Sequence, residues 1–560
     1  MPPLGELLVS KKIITHKQLE LALQRQKETG ELLGMVLFGM GLIDEEQVIL
    51  PILSEQLGID FVPLRNLDIP KSVINMIPAK FATFYQIIPI EFKNNLLTIA
   101  TAHPLNLDVI DGAGVIVTSK IKTVLASQKE ILEAIRQYYG VGAETIDQML
   151  GAVNIDLKNE KIVDNIEKID SEASIAKFIN QILFAAYKDR ATDIHIESFE
   201  HELKVRYRVD GVLYDTKLPA NIWHFKDSIN SRIKIMSNLN IAEKRLPQDG
   251  RFKVKVGDVH LDLRVSFVPT QYGENVVIRL LSTAKLYDMK ELGLSNTELK
   301  ILTDLISKPH GIIFVTGPTG SGKTTTLYSC LAQVNQADQK IITIEDPIEY
   351  QLRGVTQIQV NPAIGLTFAN GLRSMLRQDP DIMMVGEVRD FETAEIAIQI
   401  ALTGHLVFST LHTNDAASGV TRLINMGVEP YLVASAVECF IAQRLIRLIC
   451  PKCKTTGKLT AEQVRDLGLK EEYVNFVVHE GKGCEHCNFT GFYGRAAIYE
   501  FLLINDSIRE LILSQASPNQ IKNKAVQTGM RTLLQHGWEK IKAGETSPIE
   551  IIRVTKEENL

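Results

Sequence analysis

Gly317-Pro318-Thr319-Gly320-Ser321-Gly322-Lys323-Thr324 is the stretch that decides the fold of this chain. It fits the phosphate-binding pattern G-x-x-x-x-G-K-[ST], in which glycines let the backbone approach the phosphates and N–H groups at a helix start point toward them. The apolar run 311–316 before it predicts a buried strand, and residues 325–331 after it can continue as a helix. Strand, glycine-rich turn and helix together predict a P-loop nucleotide site.

Within this motif the side chains have distinct expected tasks. Lys323 is expected to reach the β- and γ-phosphates, and Thr324 is expected to hold Mg²⁺ through its hydroxyl. The residues predicted to bind ATP are Gly317, Pro318, Thr319, Gly320, Ser321, Gly322, Lys323, Thr324 and Thr325.

Two further apolar runs end in acidic residues. Residues 341–349 form a predicted strand that ends at Glu345 and Asp346, and acids at such a strand end can order water and Mg²⁺. Residues 381–387 form a second predicted strand that ends in Gly-Glu, which is typical of a Walker B strand. Its Glu387 can polarise the attacking water.

A third strand is predicted after these two, and it carries a histidine at its end. Residues 403–414 contain a turn, a buried strand and a polar tip with His412. A lone histidine is as often structural as functional. The position of His412 at a strand end beside the P-loop favours a role in sensing the γ-phosphate.

The bulk composition limits the possible classes of protein. The chain has 560 residues, which suggests three or four domains, and its 45% hydrophobic and 23% charged content is that of an ordinary soluble globular protein. The net charge of −6 gives no electrostatic footprint for nucleic acid. We find no signal-peptide pattern and no apolar run of the ~18 residues needed to span a membrane. We therefore expect a cytoplasmic protein with no nucleic-acid partner.

The region before the P-loop divides by pattern. Residues 1–60 hold a degenerate repeat that predicts a small helical module, with Thr15 and Asp44 as helix caps. Mixed strands and helices are predicted to about residue 140, and residues 141–171 are polar and predict a linker. Residues 172–285 contain alternating runs that predict half-exposed strands in an α+β domain.

The α+β domain is rich in arginine. Arg206 and Arg208 share a face of one predicted strand, and Arg232 follows. These residues can be ordinary surface and ion-pair arginines. Alternatively, some of them reach a nucleotide held by a neighbouring subunit, and we then rank Arg206 and Arg208 first and Arg232 next.

Four of the six cysteines form two C-x-x-C pairs near the C-terminus. Four thiolates in two such knuckles suit tetrahedral Zn²⁺, and in a reducing compartment this spacing favours metal over disulfides. Four protein ligands leave no open position, so the site is expected to be structural. The predicted ligands are Cys450, Cys453, Cys484 and Cys487.

Together these motifs closely resemble the ATPases of type II secretion and type IV pilus assembly (the GspE/PilB group). Four nucleotide boxes match in order, and the upstream runs match as well; the boxes lie at 317–324, 343–349, 383–387 and 404–413, and the runs at 191–197, 245–251 and 269–274. The resemblance implies a RecA-like P-loop ATPase core of α/β class, a preceding α+β (PAS-like) domain and a zinc subdomain. It also implies a hexameric ring with the nucleotide between two domains, Glu387 as general base, and assistance from Glu345 and Asp346.

The N-terminal repeat resembles the MshEN module that heads many of these ATPases. In that family each copy begins with Arg-Leu-Gly and can bind cyclic di-GMP. This chain has Pro3 and Leu32 in place of the arginines, and Lys12 where the first copy should have glycine. Neither proline nor leucine can replace an arginine that holds a phosphate or guanine edge. Cyclic di-GMP binding and a purely protein-docking module therefore both stay open.

The sequence thus predicts a motor that hydrolyses ATP to extend a pilus or secretion pseudopilus, docked peripherally at the inner membrane on a platform protein. The alternatives are a nucleotide-gated scaffold, which the complete set of nucleotide residues disfavours, and a DNA translocase, which the acidic balance disfavours. The expected divisions are 1–140, 141–171, 172–285, 286–449, 450–502 and a helical 503–560.

Overall fold

The structure, a computed structural model, describes residues 4–555 apart from 11–12, 30–32, 34–35, 38–39, 41–49, 66, 105, 118, 143–144, 146–167, 257–258 and 283–285. The residues that bear on cyclic di-GMP binding (Pro3, Lys12 and Leu32) and the predicted cap at Asp44 lie outside this range. Contacts divide the chain into two compact units, Met1–Leu280 and Leu281–Leu560.

The first unit begins with short helices. A predicted cap starts the second of them, since Thr15 N donates to Gln18 Oε1 at 2.8 Å and Gln18 N donates to Thr15 Oγ1 at 3.3 Å. Leu8, Ile14 and Leu19 are buried between the helices. The helices are α1 (Leu4–Ser10), α2 (His16–Thr29) and α3 (Leu50–Leu57).

A three-stranded sheet follows, covered by helices. Strand β1 (Ile87–Lys93) pairs antiparallel with β2 (Leu96–Thr101), which pairs parallel with β3 (Lys120–Leu125). The strands lie in the region where the sequence predicts mixed strands and helices, and their inward faces are buried against the helices. These helices are α4 (Lys71–Ile74), α5 (Ala79–Tyr85), α6 (Leu107–Val117) and α7 (Gln128–Tyr139).

The described ends of the predicted linker 141–171 pack on the following domain. Val141 is buried, and its N–H donates to Lys217 O at 3.0 Å. Thr145 Oγ1 donates to Gln181 Oε1 at 3.0 Å, and helix α8 (Lys168–Lys188) begins four residues before the expected domain start at 172. Any free linker is therefore shorter than the polar composition suggested.

A six-stranded sheet forms the arginine-rich domain, in the order β6-β5-β4-β9-β8-β7. Alternate residues of β5 and β8 are buried, which confirms the predicted half-exposed strands. A turn at Asp210-Gly211, where both residues have positive φ, joins β5 to β6. The elements are β4 (Ala191–Ser198), β5 (Leu203–Val209), β6 (Val212–Thr216), β7 (Gln248–Val256), β8 (Val259–Thr270), β9 (Gly273–Ser282) and α9 (Lys226–Met236).

The second unit is built on a seven-stranded sheet with the order β12-β11-β13-β14-β10-β15-β18. Its six neighbouring strands from β12 to β15 run parallel, and β18 pairs antiparallel with β15. Strands β10 and β14 are wholly buried, as central parallel strands must be when helices cover both faces. The strands are β10 (Gly311–Thr316), β11 (Ile341–Glu345), β12 (Thr356–Gln359), β13 (Ile382–Val385), β14 (Leu406–Leu411), β15 (Val437–Ile449) and β18 (Phe492–Leu503).

Three of the helices around this sheet begin with a side-chain cap. Ser295 and Glu298 form a capping box at the start of one, and Thr367 and Asp390 cap two others through their side chains. They are α10 (Asn296–Ile306), α11 (Lys323–Val334), α12 (Phe368–Met375), α13 (Phe391–Leu402), α14 (Ala417–Asn425) and α15 (Pro430–Ala436).

The cysteine-bearing segment leaves the sheet at the end of β15 and returns at the start of β18. It contains the two-stranded hairpin β16 (Lys454–Lys458) and β17 (Val477–Gly481), with α16 (Ala461–Asp466) between them. Strand β18 was assigned in the sequence to the zinc subdomain 450–502, whereas its residues complete the ATPase sheet. The C-terminal helices are α17 (Asp506–Leu513), α18 (Pro518–Gln527), α19 (Leu533–Lys542) and α20 (Pro548–Thr555).

Among the helices in the described part of the chain, none has the length and apolar character needed to cross a membrane.

Candidate nucleotide site and metal centre

The P-loop turns tightly between β10 and α11. Gly322 has a φ of 90°, and a Cβ there would lie 2.8 Å from Gln443 Nε2. A Cβ on Gly317 would lie 2.6 Å from Gln443 O and 2.7 Å from Ser321 Oγ. A side chain at either position would collide with its neighbours, so the motif needs glycine at both.

Lys323 begins α11 and folds back onto the loop. Its Nζ donates to Gly317 O at 2.8 Å and to Pro318 O at 3.1 Å. Burial lowers the pKa of Lys323 from 10.5 to about 8; the nearby charge of Glu387 opposes this shift, and that of Arg444 adds to it. The ammonium group therefore lies in a partly dry, electrostatically coupled site, as a phosphate-binding lysine should.

Glu387 and His412 meet at the carboxyl ends of two neighbouring parallel strands. His412 Nε2 lies 3.2 Å from Glu387 Oε2, and the Glu387 side chain is only 12% exposed. The structure thus brings these two predicted residues together, one following β13 and the other following β14. Sequence reasoning missed Arg389, whose Nη2 lies 2.5 Å from Glu387 Oε1. The sequence feature that could have identified Arg389 is its position two residues after Glu387.

The segment that carries His412 is bonded to the P-loop strand. Thr413 N donates to Thr316 Oγ1 at 3.0 Å, and the two threonine hydroxyl oxygens lie 2.6 Å apart. Arg444 is buried and donates from Nη2 to Asn414 O at 2.8 Å. A rigid set of polar contacts therefore links the P-loop with the end of β14.

Glu345 lies in a buried polar network at the end of β11. Its Oε2 accepts a very short hydrogen bond from Tyr328 OH on α11, and its Oε1 accepts from Thr343 Oγ1 at 2.5 Å and from Gln357 Nε2 at 3.1 Å. Burial, together with the carboxylate of Glu345, raises the pKa of Tyr328. Asp346, by contrast, is exposed. Of these two acids, only Asp346 faces solvent at this strand end.

The three predicted trans-acting arginines all lie in the first unit. Arg206 forms a bidentate pair with Glu197 on the neighbouring strand, with both N–O distances at 2.7 Å. Arg208 donates to Gly211 O at 3.1 Å. Arg232 is half-buried, and its Nε meets no hydrogen-bond acceptor among the residues that the structure describes. The pairing of Arg206 favours a structural role for it, so Arg232 becomes the stronger candidate for a ligand contact.

The four predicted metal ligands converge. The Sγ atoms of Cys450, Cys453, Cys484 and Cys487 all lie within 4.8 Å of one another, and three of the Sγ–Sγ distances are 3.8 Å. Four thiolates bound tetrahedrally to Zn²⁺ at about 2.3 Å would be about 3.8 Å apart, so the cluster has the size of a zinc site.

Backbone N–H groups also stabilise a negatively charged thiolate in this cluster. The N–H groups of Cys484 and Gly491 donate to Cys487 Sγ at 3.2 and 3.3 Å. Burial alone would raise the pKa of Cys487, but these donors reverse the shift and lower it. His486 stacks on Tyr493 with ring centroids 4.1 Å apart and is not part of the cluster.

Comparison with known families identifies the chain. The sequence model of the type II/IV secretion system protein family matches residues 168–554, which is more than half of its length. The chain belongs to this family. As a member with a complete P-loop, it is a P-loop ATP hydrolase with a RecA-like core. The model of the MshEN domain matches residues 57–145, which is the strand-and-helix part of the N-terminal region and not the repeat before it.

Several named relatives cover almost the whole chain. The type IV pilus assembly ATPase PilB of Myxococcus xanthus is 42% identical over 98% of this chain and 98% of its own. The type II secretion system protein E of Xanthomonas campestris is 40% identical over 99% of this chain and 98% of its own. Among solved structures, the Legionella pneumophila ATPase DotB is similar in fold, with a TM-score of 0.50 and 21% identity over 68% of this chain and 96% of its own.

Proposed function

We propose that this protein is a hexameric motor that hydrolyses ATP to drive assembly of a type IV pilus or a type II secretion pseudopilus at the inner membrane. It acts from the cytoplasm, docked on an inner-membrane platform protein, and it needs no nucleic acid. One observation carries this proposal: Glu387 and His412 lie together at the strand ends beside the half-buried Lys323, in a chain with pilus and secretion relatives of 42% and 40% identity.

In this mechanism the P-loop, residues 317–325, binds the phosphates of ATP. Lys323 contacts the β- and γ-phosphates, and the Thr324 hydroxyl in the first turn of α11 would hold Mg²⁺, which would neutralise charge on the phosphates. Asp346, exposed at its strand end, orders water at this edge. Glu345 assists indirectly, because its hydrogen bonds to Tyr328 and Gln357 hold the end of β11 in place, next to Asp346.

Glu387 is the general base. Its carboxylate accepts a proton from the attacking water, whose oxygen bonds to the γ-phosphorus while the bond from that phosphorus to the β–γ bridging oxygen breaks and ADP leaves. His412, within hydrogen-bond reach of the same carboxylate, orients Glu387 and senses the γ-phosphate. Arg389 holds the other carboxylate oxygen, so the base is fixed on both sides.

The ring completes the site. Arginines of the first unit contact a nucleotide held by the neighbouring subunit. We rank Arg232 as the first candidate for this contact, because Arg206 and Arg208 already have hydrogen-bond partners within their own domain. The zinc cluster holds its segment as a rigid subdomain. Residues 1–140 dock a protein partner, since leucine and proline stand at the positions that would hold cyclic di-GMP.

Steady-state ATP hydrolysis by the full chain, loaded with zinc and without DNA, tests the proposal. Glu387→Gln should keep ATP binding and lose hydrolysis by about 100-fold or more, because the base is removed while its shape is kept. The matched control is Glu429→Gln, at an exposed glutamate of the same unit, which should hydrolyse ATP like the unchanged protein. Absence of turnover in the unchanged protein, or full activity in Glu387→Gln, would contradict the proposal.

A further inference from the structure

The segment 412–416 has partners on both sides. Toward the nucleotide site, it is held through Thr413 and Asn414, which bond to Thr316 and Arg444. Its next two residues turn to the C-terminal part of the chain. The same short stretch therefore touches the catalytic site and the C-terminal elements.

The C-terminal partners are charged and largely buried. Asp415 Oδ2 lies 3.3 Å from Lys522 Nζ on α18, while Asp415 Oδ1 caps α14 by accepting from Ser418 N at 2.8 Å. Ala416 N donates at 3.0 Å to Oε1 of Glu500, a fully buried residue of β18. The other oxygen of Glu500 lies 3.9 Å from Lys522 Nζ. One ammonium group thus lies within 4 Å of two carboxylates.

We propose that Lys522 is a positioning residue for ATP hydrolysis. From the C-terminal helices it holds the segment 412–416 in place, and through that segment it holds His412 against Glu387. This inference rests on the roles proposed above for Glu387 and His412. It gives the C-terminal subdomain a direct part in setting the geometry of the nucleotide site.

The positive charge of Lys522 explains how one side chain can hold the segment 412–416 in place. Without Lys522 the carboxylates of Asp415 and Glu500 would lose the ammonium group that lies within 4 Å of both, and like charges in a largely buried site repel. Both carboxylates are bonded to backbone N–H groups of the segment or of the helix it starts, so the backbone would shift with them. His412 is three residues before Asp415, and small displacements of catalytic groups are costly for rate.

Three variants of the full chain test the proposal by kcat and by KM for ATP. Lys522→Met removes the charge and should lower kcat about ten-fold while KM changes little, since only a positioning contact is lost. Lys522→Arg keeps the charge and should recover most of the activity. Lys524→Met, at an exposed lysine of the same helix, is the matched control and should resemble the unchanged protein. A higher KM at unchanged kcat would overturn the proposal, as would a kcat for Lys522→Met equal to that of Lys524→Met.

A second variant keeps the test decisive if Lys522→Met does not fold. In Lys522→Met with Glu500→Gln, the fully buried carboxylate is neutral and its oxygen can still accept from Ala416 N. We expect this double variant to fold, as judged by thermal unfolding, and to keep a kcat below that of the unchanged protein, because Glu500→Gln would remove the repulsion while Asp415 still lacks its ion pair with α18. An unchanged kcat in the folded double variant would refute the role of Lys522. Failure of the proposed function is distinguishable, because then the unchanged protein itself would not hydrolyse ATP.

Discussion

At the scale of single residues, the surroundings of a side chain change what it can do. Lys323 has a lowered pKa because it is half-buried, and Glu387 is fixed because Arg389 and His412 hold its two oxygens. Neither effect is a property of the motif as a string of letters. Each follows from which groups the fold brings within a few ångströms.

The lowered pKa of Lys323 predicts pH-dependent binding of ATP. Bound phosphates favour the charged ammonium, but the empty site loses that proton as the pH rises through about 8. The affinity for a non-hydrolysable ATP analogue should therefore fall above about pH 8, by up to about ten-fold per pH unit, because binding must then take up a proton. Calorimetry at two pH values measures this. The control Lys323→Met should bind weakly at both, and equal affinities of the unchanged protein at both would contradict the prediction.

Tyr328→Phe tests the network around Glu345. The substitution keeps the ring and removes the hydroxyl that donates to a buried carboxylate, so the free energy of unfolding should fall by about 1–3 kcal/mol. Urea denaturation followed by circular dichroism measures the change. Tyr431→Phe, at a tyrosine that is 58% exposed, is the control and should leave stability unchanged. If both variants unfold alike, the network does not stabilise the ATPase unit.

At the scale of elements, sequence pattern predicted what is local and missed what is distant. Strands β10, β11, β13 and β14 were predicted because each is a short apolar run with a polar or glycine-rich end. The fold class and the family were predicted from the motifs at these strand ends, and both predictions were confirmed. The sequence could not show that β18 belongs to the ATPase sheet, because the whole cysteine-bearing segment separates β18 from its partner β15 along the chain. The buried partners of Glu345 were missed for the same reason, since Gln357 is brought to it by strand pairing.

The cysteine cluster leads to a testable prediction about the zinc content of the chain. Metal analysis of the purified chain should find about one zinc per chain. Cys453→Ser should lose that zinc and loosen the segment between β15 and β18, because three thiolates no longer close the tetrahedron. Limited proteolysis reports the loosening.

Cys330→Ala provides the control for the cluster. Cys330 is a buried thiol of α11 and lies outside the group of four, so this variant should keep the full zinc content. A stably folded, zinc-free protein, or a Cys453→Ser variant with undiminished zinc, would show that the four thiols are not a zinc site.

At the scale of the whole molecule, the residues of the proposed site are divided between two units. The P-loop, Glu387 and His412 belong to the second unit, whereas Arg206, Arg208 and Arg232 belong to the first. A ring with head-to-tail interfaces allows the arginines of one subunit to serve the nucleotide of the next. The sequence predicted both sets of residues, but it could not show that Arg206 already has a partner in its own sheet.

Subunit mixing tests this division. Glu387→Gln and Arg232→Ala should each be nearly inactive alone, and a mixture assembled together should regain activity. In a random ring about a quarter of the interfaces would pair an intact arginine with an intact base, so recovery should approach a quarter of full activity. A mixture of Glu387→Gln with Lys323→Met is the control, because both changes lie in the same half-site. Recovery in the control as well, or in neither mixture, would contradict action between subunits.

The junction of β15 and β18 bears on how this chain can gain or lose parts. Ile449 and Phe492 lie opposite each other across the antiparallel pair, so the chain leaves and re-enters the sheet at almost the same point. A tight turn could bridge that gap and leave the register of the two strands intact. The stretch between them is thus an insertion at one point of the sheet. Its deletion would need to reconnect only two adjacent strand ends, but it would also uncover the C-terminal helices, since Tyr473 and Phe476 pack on Trp538 with ring centroids 5.4 and 5.5 Å apart.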